Sequence, residues 1–130
     1  MPPLRRVAVL GLVVLAACGG GGSGSNKGGF RSVAEGLCVV RRQAGAHSAA
    51  AGVTFYDQSH AGLHTLASDL EAKGEQAAAG RLLEAMQVVE ADIAASPPGA
   101  SMPTDVGRLI VAVRTGLDAL SIRPPACMTS

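Results

Sequence analysis

The chain has 130 residues, 48% of them hydrophobic but only 2% aromatic, and its eleven basic and ten acidic side chains give a formal charge of +1. Such a length accommodates one domain. The balanced charge excludes a basic nucleic-acid surface and an acidic disordered tail, and with no Trp, one Tyr and two Phe there is no platform for stacking bases or sugars.

The chain opens with an export signal. Arg5 and Arg6 form a short positive region, and positions 7–17 are a continuous run of apolar and small residues. That run is shorter than the roughly 20 residues a bilayer crossing needs and suits a signal h-region. It ends in Leu15-Ala16-Ala17-Cys18, which resembles the bacterial lipobox. The resemblance implies that the chain is cut before Cys18, that Cys18 carries a diacylglyceryl group, and that the mature protein is anchored to the extracytoplasmic face of the cell membrane. Gly19 stands where an Asp would resemble an inner-membrane retention signal. Loss of Arg5 and Arg6 leaves nine basic against ten acidic side chains, so bulk electrostatics drives no binding. Residues 18–29 read as the lipidated cysteine and a Gly/Ser tether, whose eleven residues after Cys18 reach about 15–20 Å.

Residues 30–130 read as an all-α domain, an antiparallel up-down four-helix bundle with helices at about 31–51, 55–73, 75–96 and 104–122. Three apolar stripes at helical spacing support this: Val53-Tyr56-His60-Leu63-Ala67-Leu70, then Leu82-Met86-Val89-Ile93, then Val106-Leu109-Ile110-Val113-Leu117-Leu120. Gly74 separates the second helix from the third. Pro97-Pro98-Gly99 ends the third, and Pro124-Pro125 follows the fourth. Ser101 or Thr104 is a candidate cap for the fourth helix, with Asp105 in its first turn.

The first boundary has two solutions. A turn at Gly45-Ala46 makes a short first helix and a long second one. A turn at 52–54 uses Gly52 as a left-handed terminator and Thr54 as a cap, with Asp57 three residues on. The cysteines favour the second. With Cys18 committed to lipid, Cys38 and Cys127 remain, and in an exported domain a pair reads as a disulfide. In the equal-length bundle the tail must climb only about 10 Å to reach Cys38, at up to roughly 3.3 Å per residue. In the other arrangement the tail falls short.

All three histidines lie within 47–64. His60 and His64 are four apart and share a helix face, the spacing of paired helical metal ligands. If Gly74 centres a hairpin, His60 is level with position 88 and His64 with position 84, so Met86 and Glu90 bracket His60. The turn at 52–54 also brings His47 level with His60. The candidate ligands are therefore His60, His64, Glu90, His47 and Met86, placed as bundle proteins place metal sites. Imidazole, thioether and carboxylate donors suit a transition metal, copper or zinc, rather than calcium or magnesium. Haem between His60 and Met86 is the runner-up, although no Cys-x-x-Cys-His attachment is present. The segment Phe55-Tyr56-Asp57-Gln58-Ser59-His60 concentrates polar groups in a chain otherwise poor in them.

Catalysis has little support. His60-Ala61-Gly62-Leu63-His64 lacks the glutamate of zinc proteases, and no nucleophile elbow, phosphate loop or Glu-x-x-His di-metal motif occurs. Asp69, Glu71, Glu75, Glu84 and Asp92 read as solvated outer faces. The stretch from Phe55 through His60 and Leu63 to His64, with Val89-Glu90 and the terminal Pro124-Pro125-Ala126-Cys127, is similar to small exported helical lipoproteins of the actinobacterial type. That resemblance carries over neither an activity nor a site. The expectation is thus a membrane-anchored binding protein, not an enzyme, with a membrane partner through Cys18. The alternative is a structural or adaptor lipoprotein that docks a membrane-proximal protein.

Overall fold

The computed structural model describes residues 26–130, which form an all-helical fold. The signal run, the Cys18 lipobox and most of the tether lie outside the described residues. The elements are α1 (Asn26–Gln43), α2 (Ser48–Thr54), a π-helical turn (Phe55–His60), α3 (Ala61–Ala72), α4 (Gln76–Ala94), α5 (Met102–Ala119) and a final 3₁₀ turn (Ala126–Met128). Because α2, the π turn and α3 continue without a break, the described chain makes four long helices. α4 packs against both α3 and α5, while α1 packs against α2, the π turn, α3 and α5. None of the helices among the described residues is long and apolar enough to cross a membrane.

The second and third boundaries fall where the breakers place them. Gly74 is left-handed, with φ +84°, and completes a Schellman cap: the Glu75 N–H donates to the Leu70 carbonyl and the Gly74 N–H to that of Glu71. The first boundary is different. The chain turns at Ala44–His47, not at 52–54, and α1 begins at Asn26 rather than 31. Gly52 is helical and buried; a Cβ there would meet Ile93 Cγ2 at 2.9 Å, so its smallness serves helix contact, not termination. Thr54 caps nothing. Its hydroxyl donates to Gln43 Oε1 at 2.8 Å and ties the end of α1 to the second long helix.

The π turn explains the misread stripe. Val53 and Tyr56 are 64% and 48% exposed, and the buried ladder is Ala51, Phe55, Ser59, Leu63 and Ala67. Its constant step of four drifts by about 40° per step on an α-helix of 3.6 residues per turn. A turn closed by i→i+5 bonds is wider and takes up that drift. Ser59, buried at the centre, donates its hydroxyl to the Val33 carbonyl of α1 at 3.0 Å. Two glycines allow this approach: a Cβ on Gly36 would meet Ser59 Oγ at 2.7 Å, and a Cβ on Gly62 would meet Val33 Cγ2 at 2.1 Å.

The disulfide joins Cys38 to Cys127, with Cα atoms 6.1 Å apart. It coexists with the early turn because α5 stops at Ala119, three residues short of the expected end, and the eight residues 120–127 can extend over about 26 Å. The Arg41 guanidinium donates to the Cys127 carbonyl at 2.6 Å, and Met128 is buried in the core. α5 ends in a Schellman cap in which Ser121 takes φ 57°, with Ile122 N–H donating to the Leu117 carbonyl and Ser121 N–H to that of Asp118. A Cβ in this conformation costs about 1–2 kcal/mol, partly offset by the entropy glycine loses on folding. Ser121→Gly is therefore expected to stabilise the fold by about 0.5–1 kcal/mol in urea unfolding. Equal or lower stability would count against the left-handed cap.

Asp92 is not on a solvated outer face. It is half-buried, accepts from the Ser101 hydroxyl at 3.2 Å, and its second oxygen is buried without a partner. Ser101 is thus engaged with Asp92 and makes no side-chain cap for α5. Asp105, 6% exposed, accepts from Arg108 at 3.0 Å and faces Asp92 across the α4–α5 junction. Burial first, and then the neighbouring Asp105 carboxyl, raise the Asp92 pKa above the ordinary 3.8. The native state then holds a proton that the unfolded chain releases from about pH 3.8 upward. Stability is full below that value and is lost as pH rises through the folded pKa. Asp92→Asn is expected to add about 0.5–1 kcal/mol at pH 7 and little at pH 3. Urea midpoints at both pH values check this, and a variant weaker at pH 7 would refute it.

Candidate metal centre

His60 closes the π turn and His64 lies one turn further along α3, so the two imidazoles project from adjacent turns. Their ring centroids are 4.7 Å apart, edge to face. Across the Gly74 hairpin, α4 presents Glu90. His60 Nε2 and Glu90 Oε1 are hydrogen-bonded at 2.7 Å. Side-chain exposure is 28% for His60 and 31% for Glu90, and His64 is exposed, so the group lies at the rim of the helix pair.

The three residues form a group that can hold a metal ion: one ligand atom from each lies within 4.8 Å of the other two. Donors about 2.0–2.2 Å from a tetrahedral ion sit roughly 3.4 Å from one another. Closure therefore requires an inward movement of about 1.5 Å at most. The exposed His64 side chain is free to make it, while the 2.7 Å His60–Glu90 edge opens by about 0.7 Å as a metal replaces the shared proton.

The scaffold beneath is buried and packed. Phe55 is fully buried, with its ring 5.6 Å from that of His60, and the Tyr56 ring packs 5.0 Å from the same imidazole. The ladder Phe55-Ser59-Leu63 is held in the core, which fixes the adjacent turn bearing His60.

Two expected ligands do not join the group. His47 lies in the turn before α2, thirteen residues from His60 on the same helical run, or about 20 Å at 1.5 Å per residue. Its proximity depended on a turn at 52–54. Met86 belongs to the apolar core, 1% exposed, one turn before Glu90 on α4.

Sequence reasoning overlooked the aromatic packing of Phe55 and Tyr56 on His60, and the Asp92–Asp105 pair. The second had a readable signal, because positions 92 and 105 lie symmetrically about the 96–101 breaker. Comparison with known proteins adds no relative: no family model matches the chain, and no match appears among curated proteins or solved structures.

Proposed function

We propose that this chain is an extracytoplasmic lipoprotein, anchored through Cys18, whose helices form an up-down bundle that holds a transition metal, copper or zinc, through His60, His64 and Glu90. The carrying observation is the convergence of two imidazoles and one carboxylate from two helices, with ligand atoms within 4.8 Å. Donor chemistry supports the metals. Imidazole suits zinc and copper, and a site with only one carboxylate oxygen is poor for calcium or magnesium. The role is binding, as a buffer or delivery protein at the membrane surface.

The test is metal content and affinity of the purified protein beside its His60→Ala/His64→Ala double variant. One equivalent of copper or zinc in the parent, and an affinity at least about 100-fold lower in the variant, is the expected result. Background metal in both would end this reading. A second reading, an adaptor that docks a membrane-proximal protein, draws on the α4–α5 groove, where Val88 and Val111 are exposed between Arg81 and Arg108. Under it, the double variant would leave function intact.

A further inference from the structure

We infer that the metal centre keeps one coordination position for a ligand from outside the chain, a small organic monoanion such as a carboxylate or thiolate, whose apolar body lies against Tyr56 and Val53. The inference rests on the metal reading above and adds the ligand class to it.

The donor count comes first. Among the described residues the group supplies three ligand atoms. The remaining imidazole, His47, is about 20 Å away along the helix. Cys38 and Cys127 are bonded to each other, and Met86 is sealed in the core. Zinc with three protein ligands retains a fourth position, whereas closed structural sites use four. Because His64 is exposed and His60 and Glu90 are each about 30% accessible, that position lies at the surface rather than in the core.

Charge selects the donor. A divalent ion with two neutral imidazoles and one carboxylate retains a net charge of about +1. One anionic donor neutralises it, and a neutral donor leaves it unbalanced. A hollow of about 460 Å³ then selects the rest of the molecule. Gly52, Val53, Tyr56, Ile93 and Pro98 give it mostly apolar walls, and Asp57 adds one negative charge that disfavours a second anionic group on the ligand. Tyr56 joins the two features, since it lines the hollow and its ring packs 5.0 Å from that of His60. Val53 and Tyr56, 64% and 48% exposed, are accessible to such a ligand.

The experiment loads the full chain with Co(II) and titrates it with formate and with pentanoate, following the visible d–d bands. Tyr56→Ala is treated in the same way. The expected result is saturable one-to-one binding of both acids, with pentanoate about tenfold tighter through burial of part of its chain, and loss of that preference in Tyr56→Ala. Stoichiometric Co(II) with bands that neither acid alters would show a closed site and overturn the inference while leaving the metal reading intact. Equal binding of the two acids, or a preference that survives Tyr56→Ala, would overturn the role of the hollow. Failure to bind Co(II), zinc and copper alike would remove the metal reading, and the inference with it.

Discussion

Replacing Cys38 and Cys127 together by alanine is expected to lower the unfolding free energy by about 4–5 kcal/mol. The bond closes a loop between residues 89 apart, and the entropy it withholds from the unfolded chain grows with the logarithm of that length. Small domains have about 5–15 kcal/mol in all, so the loss is a large share. The core makes it larger still in effect, because alanines at 34, 44, 51, 67, 78 and 79 occupy buried positions where bigger side chains would bury more apolar area. For a domain of about 100 residues the expected fall in melting temperature is about 20–30 °C. Met128 and the Arg41–Cys127 contact still hold the tail locally in the variant, so helicity at low temperature should persist. Thermal and urea unfolding of the oxidised parent and the double variant provide the check. A difference below about 1 kcal/mol would mean that the tail docks through side chains alone.

The helical class and two of three turns were legible because their signals are local. Gly74 has no Cβ to oppose a left-handed cap, and Pro97-Pro98 cannot continue a helix. The register of His60 against Glu90 was also legible, since a short hairpin turn sets which residues are level. The first turn was not. Gly52-Val53-Thr54 has the residue types of a helix end followed by a cap, but tertiary contacts use them otherwise, Gly52 beneath Ile93 and Thr54 toward Gln43. The π turn was hidden for a related reason. Its buried ladder contains two alanines and a serine, which carry little hydrophobic signal, whereas Val53 and Tyr56 carry much and face outward. His47 followed the same error, because its place in the cluster required a fold-back that the chain makes seven residues earlier. The disulfide pairing survived because the tail was longer than counted, which compensated for the displaced boundary.

Gly62→Ala distinguishes local propensity from tertiary contact by the sign of its effect. In an isolated helix the substitution is favourable by about 1 kcal/mol. Here the new methyl would lie 2.1 Å from Val33 Cγ2, well inside contact distance. Val33 is β-branched on a helix and strongly prefers one rotamer, so it cannot swing clear at low cost. α1 and α3 must separate, and overpacking of this kind costs about 1–3 kcal/mol. The net expectation is a loss of about 1–2 kcal/mol. Shortening the opposing side chain should restore the fit, so Val33→Ala/Gly62→Ala is expected to be more stable than the two single effects predict by about 1–2 kcal/mol. Gly62 lies between His60 and His64, and separation of the helices would tilt this turn against Glu90. Metal affinity is therefore expected to fall about tenfold in the single variant and recover in the double. A Gly62→Ala protein more stable than the parent would show that the close approach of α1 to α3 does not hold the site in place.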